Sequence, residues 1–139
     1  MSDEKPPAPA PDDDWPVLFR YTRAEAIADG VLVDLTAWAQ ETGFKLPVAC
    51  TAAVWAEYLT PPPGSEAEGQ SVRGRAHDLL WLLWLTCRQA GETDHVTFQV
   101  RFLQAQGSGF LHQTVPLQAV VGPGDEGEPV ITVMRPDED

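Results

Sequence analysis

Seven consecutive apolar residues, Leu79-Leu80-Trp81-Leu82-Leu83-Trp84-Leu85, constrain this chain more than any other feature. They lie inside a helical stretch from about Val72 to Ala90, with Gly91 as its natural stop. A helix that is apolar on every side must be covered on several sides, so it belongs at the centre of the fold. The run is too short for a membrane span, which needs about 20 such residues. A central helix of this kind needs other elements to cover it, and the rest of the sequence supplies them.

Before it come short helical and extended pieces. Thr22 is a suitable N-cap for a helix Arg23 to Asp29, closed by Gly30. Val31 to Val33 reads as a short extended segment. Thr36 to Thr42 reads as a second helix ending at Gly43. Phe44 to Ala49 is extended, and Pro47 is expected to confine it to an edge or a non-sheet stretch. Thr51 can cap a third helix, Ala52 to Leu59, whose Val54, Trp55, Tyr58 and Leu59 recur at helical spacing. After the long helix the period changes to two. Val96, Phe98, Val100 and Phe102 alternate with polar residues, as in a half-buried strand. Turns at Gly107-Ser108-Gly109 and Gly122 to Gly127 separate this strand from Phe110 to Val121 and from Pro129 to Met134. Pro116 marks an irregularity or an edge. The expected fold is α+β: a helical N-terminal half with a long central helix, packed on a C-terminal three-stranded antiparallel β-meander.

With 139 residues, 43% of them hydrophobic, the chain fits one domain with a real core. Residues 1–14 read as a disordered acidic, proline-rich tail. Residues 15–136 form the domain, with a flexible loop at 60–71 rich in proline, glycine and glutamate, and 137–139 is an acidic tail end. The formal net charge of −12 is unevenly placed. Residues 1–14 hold five acids against Lys5, and residues 125–139 hold six against Arg135. Residues 72–124 hold three acids and four bases. Acidity concentrated in the ends favours solubility and argues against direct binding to nucleic-acid phosphates. It also argues against phosphate mimicry, which needs acids fixed on rigid elements. The N-terminus shows no apolar stretch behind basic residues, so no signal peptide is expected and the cytoplasm is the expected location.

Tyr21 to Asp34 (YTRAEAIADGVLVD) and Gly122 to Met134 (GPGDEGEPVITVM), with Phe44 to Ala49 (FKLPVA) followed by Val54-Trp55, form a pattern over residues 18–139. In this the chain resembles the uncharacterised bacterial domain-of-unknown-function family 6573. Its members are short proteins often encoded on plasmids, phages and integrated elements. The resemblance carries no activity and no catalytic residues; it implies an accessory protein of a mobile element.

No chemistry-bearing motif stands out. His77, His95 and His112 have no i, i+4 pair and no His-Glu-x-x-His. Cys50 and Cys87 lie far apart without zinc-ligand spacing, so two reduced, buried thiols are expected. Ser108 is not in a nucleophile elbow. The acids of Gly122 to Glu128 lack calcium-loop spacing and fit a turn. His77-Asp78 beside Arg73 and Arg75 fits a solvated first helical turn. No catalytic, cofactor or metal residue is assigned. Five tryptophans are the unusual feature: Trp15, Trp38, Trp55, Trp81 and Trp84. Trp38, Trp55 and one of Trp81/Trp84 are expected in the core; if the helix cannot bury its whole circumference, one tryptophan belongs to a partner surface, the core being the favoured reading.

The leading expectation is a protein-binding accessory factor, with Trp81, Trp84, Arg73 and Arg75 as its candidate interaction surface and a host or defence component as the partner. The alternative is a ligand-binding domain or small enzyme with a site between helices and sheet, drawing on His77, Asp78, His95 and His112. A third reading is a structural homo-oligomer using the tryptophan pair or an edge near Pro116.

Overall fold

The computed structural model describes residues 21–138. The tail expected at 1–14, the start of order at Trp15 and residue 139 lie outside them.

Thr22 opens α1 (Arg23–Ala28) with a complete capping box, its hydroxyl accepting from the Glu25 amide while the Glu25 carboxylate accepts from the Thr22 amide. The strand β1 (Leu32–Asp34) follows, then α2 (Thr36–Thr42) and β2 (Val48–Thr51). Thr51 caps α3 (Ala52–Val54), its hydroxyl accepting from the Val54 amide. The helix expected over 52–59 is α only to Val54; Trp55–Leu59 widens into a π-helical stretch, with the Thr60 amide bonded five residues back to the Trp55 carbonyl. A 3₁₀ turn, Ser65–Glu68, organises the following loop, and its Ser65 is buried with its hydroxyl on the Pro62 carbonyl. Ser71 then caps α4 (Val72–Ala90). The strands β3 (His95–Gln106), β4 (Gly109–Pro123) and β5 (Pro129–Met134) complete the chain.

The sheet corrects the expected three-stranded meander. It is five-stranded and mixed, in the order β1-β2-β5-β4-β3. β3, β4 and β5 are antiparallel neighbours as expected, but β2 joins β5 in parallel, Val48 opposite Ile131, and β1 adds antiparallel to β2. The α+β class stands. Two strands of three and four residues are too short to show a period, and Pro47 argued against a sheet at that place. The structure resolves that argument: the strand starts one residue later, and Pro47 contributes its carbonyl, which accepts from the Ile131 amide. Its missing amide is not needed, and β2 is internal rather than an edge.

Helices α2, α3 and α4 cover one sheet face. Leu79, Leu80 and Leu83 of α4 pack with Phe98, Val100, Phe102, Val115 and Leu117 of the hairpin and with Val48, Cys50 and Val133 of the inner strands. On the other face, α1 is held by Arg23, whose guanidinium donates to Thr132 Oγ1 and to the Ile131 carbonyl. The β4–β5 turn closes on the same helix: the Asp125 carboxylate accepts from the Arg23 and Ala24 amides. A carboxylate at a helix start satisfies amides that have no partner within the helix. At the other end, Glu138 accepts from the Thr51 hydroxyl and the Arg135 amide.

Both cysteines are free thiols, Cys50 buried in β2 and Cys87 half-buried on α4. Burial pushes the Cys50 thiol up to about 12 and also raises Cys87. The reactive thiolate is therefore scarce at neutral pH. In the native protein at pH 7.5, Cys50 is expected to resist a disulfide-exchange reagent until denaturant is added; rapid labelling of Cys50 in the folded state would show that the β1–β2–β5 core opens readily.

Candidate functional site

The outward side of α4 carries Arg73, His77, Trp81 and Trp84 among the residues singled out by the sequence. Ser71 caps the helix, its hydroxyl accepting from the Gly74 amide at 3.0 Å. Arg73, two residues on, reaches Glu41 of α2 at 2.7 Å and lies 5.8 Å from the centre of the Trp38 ring. Both ends of that ion pair are well exposed, so it is worth at most about 1 kcal/mol. Between α4 and α2 these residues line an open groove of about 590 Å³, together with Gln70, His77 and Asp78.

One helical turn further, Trp81 and Trp84 stack, with ring centres 5.5 Å apart and planes 12° from parallel. The Arg88 guanidinium lies 4.8 Å from the Trp84 ring centre, so three side chains brace one another along the helix. Trp84 is half-buried because its indole turns toward the end of α2. Gly43 makes that approach possible. A Cβ there would sit 3.0 Å from Trp84 Nε1, and Gly43 also holds a left-handed φ of 124°. Trp81 is the member left outside, 44% exposed. Trp38 and Trp55 are half-buried and pack against the core. Trp15 lies outside the described residues.

Arg75 takes a different place from Arg73. It is 3% exposed and points inward. Its Nε donates to the Tyr58 carbonyl at 2.6 Å, and its Nη1 to Gln70 Oε1 and to the Leu103 carbonyl, both at 2.9 Å. Its Nη2 donates to Gln104 Oε1 at 2.9 Å, and the guanidinium lies 4.8 Å from the centre of the Phe102 ring. Phe102 in turn stacks on Tyr58. Burial lowers the Arg75 pKa while nearby Asp78 opposes the shift; a guanidinium nonetheless stays charged in a protein. Its acceptors are neutral carbonyls and amides, so it ties four segments together, and it reaches the wall of the groove with little of its surface.

Residues 14–139 match the model of a family of unknown function, DUF6573. The chain belongs to that family. No curated protein and no solved structure matches it. In this DUF6573 member the three motif stretches meet in space. Tyr21 to Asp34 supplies α1 and β1, Phe44 to Ala49 runs into β2, and Gly122 to Met134 supplies the capping turn and β5. They are joined by the Asp125 and Arg23 bonds and the β2–β5 ladder.

The remaining polar candidates do not converge. His95, on β3, lies 2.7 Å from Gln118 Oε1 through its Nε2. His112 pairs with Leu103, eight residues further along β3 and so about 26 Å away at the rise of a strand. His77 and Asp78 belong to the groove on α4. Among the described residues no three His, Cys, Asp or Glu side chains form a metal-holding group. No helix among them is long and apolar enough to cross a membrane. The site imagined between helices and sheet is thus not assembled from these residues. Sequence reasoning did not find the role of Asp125, because a carboxylate in a glycine-rich turn looks solvated until the helix it caps is brought to it.

Replacing Arg75 with Met keeps much of the aliphatic bulk but leaves the Tyr58 and Leu103 carbonyls without a donor. The expected loss is about 3 kcal/mol or more, or roughly 10 °C in Tm. Thermal unfolding followed by circular dichroism checks this, with Arg73→Met as the comparison expected to stay close to wild type.

Proposed function

We propose that the chain is a small cytoplasmic accessory protein that acts by binding another protein through the outward stripe of α4. Trp81 is its anchor, with Arg73, His77 and Arg88 along the same side. The exposure of Trp81 carries this reading. A tryptophan on a rigid helix, already stacked on Trp84, presents a large apolar surface whose rotamer is fixed in advance. The exposed part, on the order of 100 Å², would contribute about 2–3 kcal/mol if a partner covered it. That is the range of an interface hot spot. The adjoining groove between Trp38, Glu41 and Arg73 offers polar contacts beside the anchor, as interface rims do.

Direct binding to nucleic acid is not part of the proposal, since a chain of net charge −12 lacks the cations that phosphates require. The terminal acids are not part of the proposed docking surface, and two of the acids of residues 125–139, Asp125 and Glu138, serve contacts within the fold. The mobile-element setting, and a host or defence component as the partner, rest on the family resemblance.

The test is affinity capture from host lysate with the full chain and its Trp81→Ala variant. A partner retained by the wild type in fixed stoichiometry should be lost with Trp81→Ala, while circular dichroism shows that the variant, lowered somewhat in Tm by the lost stack, is still folded at the capture temperature. Equal retention by both proteins would remove the α4 stripe from the account.

A further inference from the structure

The hairpin of β3 and β4 has a feature unrelated to α4. No Asp or Glu occurs between Asp94 and Asp125, in a chain with 21 acids. β3 is also an edge strand of the sheet, 12 residues long, with Arg101 as its one Lys or Arg and no proline. Long edges are normally blunted by lysine, proline, a bulge or a covering segment.

The register fixes which backbone groups face outward. The Val121 amide bonds to the Asp94 carbonyl, so even-numbered residues of β3 face β4 and odd-numbered ones face away. Two of the outward positions are capped. The His95 amide and carbonyl bond to the Thr93 hydroxyl, and the Leu103 carbonyl accepts from Arg75. Between them, Thr97, Gln99 and Arg101 turn their amides and carbonyls outward, with no hydrogen-bond partner for them among the described residues. The opposite edge of the same hairpin is interrupted by Pro116, two residues beyond the last β4–β5 pair at Gln118 and Met134. That proline has no amide to offer, so the β3 edge is the one suited to further pairing.

We propose that the edge of β3 pairs antiparallel with the same edge of a second copy of this chain, about a two-fold axis at Gln99. That register sets Gln99 opposite Gln99 of the second copy and Thr97 opposite Arg101 of the second copy. All three outward residues fall into hydrogen-bonded pairs, and each pair exchanges two bonds. On the helix-covered face, Phe98 meets Val100 of the second copy, so apolar residues oppose apolar ones. The two Arg101 side chains are not directly opposed. The charge pattern fits this occupant: two chains of net charge −12 repel overall, and the acid-free hairpin is the stretch along which they can approach without opposing carboxylates. The pairing builds one continuous ten-stranded sheet and closes as an isologous dimer.

Sedimentation equilibrium of the full chain tests this, with Gln99→Pro, Gln99→Glu and Trp81→Ala as variants. The wild type should show a reversible species of twice the 15.2 kDa chain mass. Gln99→Pro removes an amide that makes no bond within the hairpin, so the fold should persist, while the dimer weakens at least about tenfold. Gln99→Glu places carboxylates face to face on the axis; its dimer should be weak at low salt and recover partly at high salt, which damage to the fold would not do. Trp81→Ala should dimerise like the wild type. A wild type that stays monomeric into the high micromolar range overturns the proposal. So does undiminished association of both Gln99 variants, or loss of the dimer in Trp81→Ala.

Discussion

One buried guanidinium organises the middle of this molecule. Arg75 bonds the end of the π-helical stretch at Tyr58, the loop at Gln70 and the far part of β3 at Leu103 and Gln104, while its own backbone belongs to the first turns of α4. Taking a charge out of water is expensive, and it persists where acceptors answer its donors, as they do for four of the five N–H groups of Arg75. Here the answers come from carbonyls that would otherwise lack partners, one at a helix end and one on an open strand edge. The position of α4 follows from this. Its apolar side lies over the sheet and its Trp81 side faces out.

A second assembly holds the other half. α1, β2 and β5 are joined by Arg23, by the capping carboxylate of Asp125 and by the parallel ladder through Ile131. Each of these links spans a long stretch of sequence, and together they bring the family's motif stretches to one place.

The elements that were legible in sequence are the long ones. The nineteen residues of α4 and the alternation in β3 repeat their period enough times to be read from pattern alone. β1 and β2 were legible as short extended segments but not as strands of the sheet, since three or four residues cannot establish a period and β2 pairs with a strand some eighty residues away. The arrangement of the candidate surface on α4 was legible only in part. Trp81 and Trp84 are equivalent in sequence, and it is the missing Cβ of Gly43 that lets one turn inward. Arg73 and Arg75 are similarly alike until tertiary contact separates an exposed ion pair from a buried clamp.

The central claim is that Arg75 couples segments that sequence leaves independent. Hydrogen exchange measured by mass spectrometry on the wild type and on Arg75→Met tests it directly. The expected result is joint loss of protection at Trp55–Thr60, at the first turns of α4 and at Leu103–Gln106, with β1, β2 and β5 still protected. Loss confined to the first turn of α4, or spread evenly over the whole sheet, would contradict the account.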